Sequence, residues 1–331
     1  MNKTILITGG SSGIGYQAVV KMLNQGNKVI APCRDVNRAN ETLEKLKIDT
    51  YIDIELDKQI KLPVLDLSSF KSIELFLHKI NLEEIIIDTL ILNAGLQYTG
   101  SKKPKWSSDG FELTFAVNHL ANQYLIQGLL QLLYQSCFPR IIITSSEVHN
   151  PKSPGGKIGE TANLGDLKGL RSGKCFEMID GGQFNADKAY KDSKLCNVLF
   201  GIELSKKLES LSRKIPVIVW APGLVIPKSK SDFFRYSRKY NEIGQLIFAF
   251  IARDILDITE TTERAGEILF ELALDTKYEN AMFIFKTNRV LGPGKRVFEE
   301  SEISEEACND QLAKDLWLFS SALINTNPDI K

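Results

Sequence analysis

The stretch KTILITGGSSGIG, residues 3–15, decides the fold. It opens with a short apolar run that stops at glycine, which is typical of a buried strand. Gly9, Gly13 and Gly15 follow, and the apolar spacing of residues 16–26 (YQAVVKMLNQG) predicts a helix directly after them. A glycine-rich turn between a strand and a helix indicates a dinucleotide site, because glycine lets the backbone approach a pyrophosphate at the helix N-terminus.

The rest of the chain repeats this alternation. Apolar runs stopped by turn residues predict strands within residues 27–34, 60–69, 88–95, 139–146 and 214–223. Helical spacing predicts helices within residues 37–48, 70–80, 121–135 and 265–274, and another around Tyr190. Such alternation implies βαβ crossovers. We therefore expect an α/β fold, a Rossmann-type doubly wound parallel sheet, in one domain over residues 1–331.

Composition excludes several classes of partner. The chain has 331 residues, with 41 Lys and Arg against 41 Asp and Glu, so no net charge attracts nucleic acid. Five cysteines without metal-type spacing and three scattered histidines predict free thiols and no metal site. The first apolar run is too short for a signal peptide. The expected location is cytoplasmic, or peripheral to an internal membrane.

The end of the second predicted strand bears on the choice of dinucleotide. A carboxylate there would bind the ribose 2′-hydroxyl of NAD, whereas a 2′-phosphate requires a cation. The sequence has Cys33 at that position, followed by Arg34, with Arg38 a turn further on. Guanidinium groups match phosphate geometry. NADPH is therefore favoured, although Asp35 leaves a ribose contact open.

A series of short motifs identifies a family. Their order resembles that of the short-chain dehydrogenase/reductases, from Thr4 to about Leu274. The motifs are TGGSSGIG at residues 8–15, LDLSS with Asp66, LNAG with Asn93, Ala94 and Gly95, AVNHL with Asn118, ITSS with Ser146, Tyr190-x-x-x-Lys194, and Pro222-Gly223.

The resemblance implies a set of roles. Tyr190 would donate a proton after hydride transfer, and Lys194 would favour its phenolate, since a phenol with a pKa near 10 is a poor acid–base group at pH 7. Ser146 would hold the substrate oxygen, and Asn118 would anchor a water that feeds protons to Lys194. Asp66 would bind the adenine amino group. The implied cofactor contacts are Gly9, Ser11, Ser12, Gly13, Ile14, Gly15, Arg34, Arg38, Asp66, Leu67, Asn93, Ala94, Gly95, Tyr190, Lys194, Pro222, Gly223 and Val225.

Within the superfamily the sequence resembles the light-dependent protochlorophyllide reductases. The shared features are AYKDSKLCN at residues 189–197, a long insertion at residues 150–188, and LAKDLWLFS at residues 312–320. The insertion would form a wall of a large pocket. The resemblance implies NADPH-dependent reduction of a bulky conjugated C=C bond, as in a tetrapyrrole.

The sequence departs from that family near the chemistry. Ser146 replaces a threonine, Ala221 replaces a tyrosine, and Leu224 replaces a cysteine to which proton donation has been assigned. Leucine donates nothing. Two alternatives therefore stay open: a light-independent reductase of a retinoid- or carotenoid-like carbonyl, or a protein that binds NADPH and pigment without turnover.

Residues 228–260 mix aromatic and basic residues with an apolar helix. One interpretation is a helix that packs on the core, and a second is a lid that closes over a hydrophobic substrate. A third is an amphipathic surface in contact with lipid. We expect an apolar small-molecule substrate, with peripheral membrane contact and a homodimer or larger assembly as further options.

Overall fold

A computed structural model describes residues 2–51, 56–211, 214–226, 237, 239–240 and 242–325. Within these residues eight strands form one sheet in the order β3–β2–β1–β4–β5–β6–β7–β8. The strands are β1 (Thr4–Ile7), β2 (Lys28–Ile30), β3 (Ile60–Lys61), β4 (Thr89–Leu92), β5 (Arg140–Thr144), β6 (Val217–Ala221), β7 (Phe283–Gly292) and β8 (Lys295–Glu300).

The strand order confirms the doubly wound prediction. Strands β1 to β7 are parallel, and only β8 runs antiparallel to its neighbour β7. The chain winds outwards from β1 to β2 and β3, then crosses back to β4 on the other side of β1. Because the connections diverge there, a crevice opens at the carboxyl ends of β1 and β4.

Helices cover both faces of the sheet. They are α1 (Gly13–Asn24), α2 (Val36–Asp49), α3 (Leu56–Gln59), α4 (Phe70–Leu82), α5 (Leu113–Phe115), α6 (Ala121–Tyr134), α7 (Lys168–Arg171), α8 (Ala186–Ser210), α9 (Glu242–Phe250), α10 (Thr262–Leu274) and α11 (Asp310–Leu323). A π-helical turn, Ala116–Leu120, joins α5 to α6.

The strand pleat divides the core into two layers. Ile91, Ile142 and Ile218 pack on one face with residues of α1 and α10. Their strand neighbours Leu90 and Ile141 pack on the other face with residues of α4, α6 and α8. Successive strand side chains point to opposite faces, so fully apolar strands are what a sheet buried on both sides requires.

The last 50 residues add structure that the strand–helix alternation did not predict. The β7–β8 hairpin extends the sheet, and α11 packs on the outer side of α6 and α8. Trp317 of α11 stacks on Phe200 of α8 with ring centres 5.5 Å apart. The polar residues KTNR, 286–289, interrupt the apolar residues of β7. The strand therefore lacks the continuous apolar run that indicates a buried strand.

The region predicted as a lid lies partly outside the described residues, which omit residues 227–236, 238 and 241. The remainder includes α9, in which no residue is buried. Large apolar side chains on and after it are exposed, among them Ile243, Leu246 and Phe250. None of the described helices is long and apolar enough to cross a bilayer.

Candidate active site

A cavity of about 540 Å³ opens at the carboxyl ends of β1 and β4. All but two of the residues predicted for the site line it; Arg38 and Asn118 lie outside its lining. The predicted residues in the lining are Gly9, Ser11, Ser12, Gly13, Ile14, Gly15, Arg34, Asp66, Leu67, Asn93, Ala94, Gly95, Ser146, Tyr190, Lys194, Pro222, Gly223 and Val225.

The glycine-rich loop leaves the first turn of α1 open to the cavity. Ser12 precedes the helix, and its side chain makes no capping hydrogen bond to the helix N–H groups. Gly13, with φ +53°, has open space where a side chain would begin. A Cβ at Gly15 would lie 2.3 Å from the Gly9 carbonyl oxygen, so the loop requires glycine there. Open N–H groups at a helix N-terminus fit a pyrophosphate.

A hydrogen-bond ladder joins the strand ends below this loop. The Thr8 hydroxyl of the β1 end accepts from the backbone N–H of Asn93 at 3.0 Å, and the Asn93 amide donates to the Thr8 carbonyl at 3.2 Å. The Thr144 hydroxyl donates to the Asn93 side-chain oxygen at 3.2 Å and accepts from the Trp220 indole at 2.9 Å. These bonds fix the carboxyl ends of β1, β4, β5 and β6 relative to one another. Sequence analysis missed Thr8, Thr144 and Trp220.

The two arginines at the end of β2 have different partners. Arg34 lines the cavity, with its side chain 58% exposed. Arg38 instead donates to the Ser11 hydroxyl at 3.2 Å and to the Ser11 carbonyl at 3.0 Å. Asp35 caps α2 by accepting from the Arg38 backbone N–H at 2.8 Å, and this bond lowers the pKa of its carboxyl. The structure therefore uses Arg38 to brace the glycine-rich loop.

Asp66 and Asn118 fix backbone around the site. One Asp66 carboxylate oxygen accepts from the Ser68 backbone N–H at 2.9 Å and from its hydroxyl at 2.7 Å. Asn118 exchanges two hydrogen bonds with the backbone of Leu96, at 2.8 Å and 3.0 Å, and also donates to Ser193 at 3.0 Å. The Asn118 amide therefore holds the loop that follows Gly95 against α8.

Tyr190, Ser146 and Lys194 come together in the cavity. The Tyr190 phenol is hydrogen-bonded to Ser146. The Lys194 ammonium donates to the Thr144 carbonyl at 3.1 Å and lies 5.6 Å from the centre of the Tyr190 ring. The i,i+4 spacing on α8 places both groups on one helix face.

Burial dominates the protonation of this pair. It raises the pKa of the Tyr190 phenol, and only the hydrogen bond with Ser146 opposes this. It also lowers the pKa of the Lys194 ammonium to about 8. Lys194 is only 2% exposed, and this burial is the cause of its lowered pKa. Its role in favouring the phenolate stays a prediction. Tyr190 is held as a neutral phenol, the form that donates a proton.

The strand-end loop with Ser146 is anchored by His149. The His149 Nδ1 lies 2.7 Å from the Ser146 carbonyl oxygen, and its Nε2 accepts from the Ser304 backbone N–H at 3.3 Å. Burial lowers the pKa of His149 to about 4, so the ring is neutral and its Nδ1 carries the proton donated to Ser146. The link between His149 and residue 304 has no local sequence signal.

The cavity lining also includes the apolar side chains of Leu96, Leu113, Val117, Val148, Ile158 and Leu224. Gln97, Asp187 and Lys191 add polar groups to it. Gly155 and Ile158 come from the insertion. Cys196 lies fully buried in α8 and is not part of the lining. The described residues contain no group of three or more His, Cys, Asp or Glu that could hold a metal.

Comparisons with known proteins agree with this geometry. Residues 3–158 match the family model described as short chain dehydrogenase. The chain is 30% identical over 329 residues to the chloroplastic protochlorophyllide reductase of Marchantia paleacea, covering 97% of this chain and 67% of that one. It is 30% identical over 330 residues to the Pisum sativum protochlorophyllide reductase, covering 97% and 77%.

A solved structure shows the same fold at low identity. L-sorbose reductase from Gluconobacter frateurii, complexed with NADPH and L-sorbose, matches with a TM-score of 0.60 and 16% identity, covering 87% of this chain and 95% of that one. The chain belongs to the short-chain dehydrogenase/reductase superfamily of oxidoreductases. Within that superfamily it is similar, along nearly its whole length, to protochlorophyllide reductases.

Proposed function

We propose that the protein is an NADPH-dependent reductase of a bulky, conjugated, apolar substrate, of which the C=C bond of a protochlorophyllide-type tetrapyrrole is the first candidate. The observation that carries the proposal is one continuous cavity that joins the open N-terminus of α1 to Tyr190 and then to an apolar wall. A dinucleotide fits the first part, and an apolar molecule fits the last.

The cofactor assignment rests on the groups around the phosphate sites. The uncapped first turn of α1 suits the pyrophosphate, and Arg34 suits a 2′-phosphate. Asp35 is occupied as the cap of α2, which removes the carboxylate that an NAD ribose would require. The sorbose reductase relative binds NADPH. NADPH would supply the hydride.

The chain's own residues would supply the proton. Tyr190 is neutral because of its burial and is hydrogen-bonded to Ser146, so both hydroxyls face a substrate atom that gains negative charge. Once Tyr190 has given its proton, the Lys194 ammonium, 5.6 Å from the centre of the Tyr190 ring, would stabilise the phenolate. Its pKa of about 8 allows it to hold or release a proton near neutral pH.

A second candidate is light-independent reduction of a retinoid- or carotenoid-like carbonyl. Leu224 lines the cavity where the similar family has a proton-donating cysteine, and Ser146 is bonded to Tyr190 as a carbonyl-polarising serine would be. The assay below therefore includes both substrate classes.

The test mixes purified protein, NADPH and protochlorophyllide, and compares absorption spectra in the dark and after a brief flash. Conversion to chlorophyllide after the flash supports the tetrapyrrole proposal. Pigment binding without conversion in light or dark supports a non-catalytic binder. Absence of binding removes the tetrapyrrole, and NADPH consumption with all-trans-retinal would then support the carbonyl reductase.

A further inference from the structure

Lys191, the residue after Tyr190, holds a segment of the insertion in place. Its side chain is 6% exposed. Its ammonium donates to the carbonyl oxygens of Gly156 at 3.4 Å and Glu160 at 2.9 Å, and also to that of Ile158. An ammonium has three N–H groups, so the carbonyls of residues 156, 158 and 160 use all of its donors.

The segment that Lys191 holds forms part of the cavity wall. Gly155 and Ile158 line the cavity, and the Ile158 side chain is 73% exposed at its edge. The segment has other fixed points: Gly156 lies so close to Asn150 that a Cβ would meet its carbonyl oxygen at 2.0 Å, and the Glu160 carboxylate accepts from Asn185 at 2.7 Å. The Gly156 and Lys157 N–H groups also donate to Ser153, and Lys191 binds the carbonyl oxygens between these points.

Three carbonyl oxygens converge on one point only when a cation or strong donors hold them, because their partial negative charges repel one another. Leaving such carbonyls unpaired costs free energy wherever water cannot reach them, and Gly156 is buried. The other lysine in this part of α8, Lys188, bonds to Asp192 at 2.6 Å, to Asp180 at 2.9 Å and to the Asn163 carbonyl at 2.7 Å, all outside residues 156–160. Lys191 is thus the described cation whose hydrogen bonds shape residues 156–160.

We propose that Lys191 is a positioning residue that determines substrate specificity. By gathering the carbonyls of residues 156–160 it presents Ile158 as an apolar contact at the cavity edge, where a bulky substrate extends beyond Tyr190. This inference rests on the proposed function, in which the substrate is large and apolar.

The first experiment compares Lys191→Met, which keeps the length of the side chain but removes its donors, with Lys206→Met as the matched control on the same helix. The Lys206 side chain is 45% exposed and pairs with Asp310. Hydrogen–deuterium exchange of residues 153–161 should become faster in Lys191→Met only. The dissociation constant for protochlorophyllide should rise about tenfold, while that for NADPH changes less than about twofold.

Exchange in Lys191→Met equal to wild type would overturn the positioning role, whether or not any substrate is known. Faster exchange with unchanged pigment affinity would overturn the specificity role. If wild-type protein does not bind the pigment at all, the proposed tetrapyrrole function fails, and the exchange result still decides whether Lys191 orders the wall.

A rescue experiment separates positioning from general damage to α8. Lys191→Ala leaves the three carbonyls facing the space vacated by the side chain. Propylammonium chloride should restore slow exchange of residues 153–161, because the ion supplies both the N–H donors and part of the missing alkyl chain. Tetramethylammonium chloride has no N–H group. Equal effects of the two salts would contradict the proposal.

Discussion

Tyr190 is the residue on which the proposed chemistry depends most directly. In Tyr190→Phe the ring and its packing remain and the hydroxyl is lost, so we expect turnover to fall by about 10²- to 10⁴-fold with little change in NADPH affinity. Steady-state rates and cofactor titration measure the two effects. Tyr51→Phe, at an exposed side chain, is the control. Comparable turnover in Tyr190→Phe and wild type would eliminate Tyr190 as proton donor.

Arg34 should determine the preference between the two dinucleotides. We expect Arg34→Ala to raise the dissociation constant for NADPH about tenfold or more, because a charged hydrogen bond to phosphate contributes about 1.5–3 kcal/mol. The constant for NADH should change little. Fluorescence titration with both cofactors gives the ratio, and Arg171→Ala, which alters a surface ion pair, is the control. Equal weakening of both cofactors would contradict a 2′-phosphate contact.

At the residue scale, sequence predicted the groups that belong to short motifs. Gly15, Tyr190 and Lys194 stand at spacings whose geometry follows from a strand–turn–helix or from one helical turn. Lys191 and His149 were not predicted to position the site, because their partners are backbone groups of the insertion and of residue 304, which no spacing reveals. The contact of Arg38 with Ser11 is likewise not revealed by spacing, and the predicted contact of Arg38 with the cofactor stays a prediction.

Helix α8 lies unusually close to the sheet at Gly201. A Cβ at Gly201 would lie 2.4 Å from the Val219 Cγ2 of β6. Helix propensity alone would favour alanine by about 1 kcal/mol. We nevertheless expect Gly201→Ala to lower the free energy of unfolding by about 1–3 kcal/mol through overpacking.

Urea denaturation of Gly201→Ala, Val219→Ala and the double variant tests this expectation. Alanine at position 219 lacks the Cγ2 atom that a Cβ at position 201 would overlap. The double variant should therefore be more stable than the sum of the two single effects implies. Additive effects would mean that the close approach does not limit packing at this point.

Element boundaries show which parts of the fold local sequence can predict. The six predicted strands correspond to β1 to β6, and most of them are apolar runs buried on both faces, whereas β3 is only Ile60–Lys61. The β7–β8 hairpin was missed because β7 is half-buried and carries polar residues along its length. Its place in the sheet depends on pairing with β6, more than 60 residues earlier in the chain.

For the molecule as a whole, two buried histidines predict that the free energy of unfolding decreases as the pH falls below 6.5. Burial lowers the pKa of His119 to about 3 and that of His149 to about 4, against an ordinary value near 6.5. Below pH 6.5 the unfolded chain therefore binds protons that the folded chain does not. Each histidine should reduce the free energy of unfolding by about 1.4 kcal/mol per pH unit until its folded pKa is reached.

Urea denaturation at several pH values between 7 and 4.5 measures this slope. His119→Gln should reduce it by about 1.4 kcal/mol per pH unit, because one proton-linked group is removed. The exposed His78 on α4 provides the control variant, His78→Gln. An unchanged slope in His119→Gln would show that His119 is not held neutral by the fold.

The contact between Ser304 and His149 has a consequence for protein synthesis. The glycine-rich loop, the strand with Ser146 and the helix with Tyr190 all emerge from the ribosome before residue 304 does. Until then His149 lacks the backbone N–H that fixes its ring, and the loop that carries Ser146 lacks its anchor. The loop that carries Ser146 therefore gains its His149 anchor only after residue 304 has been synthesised and has packed against it.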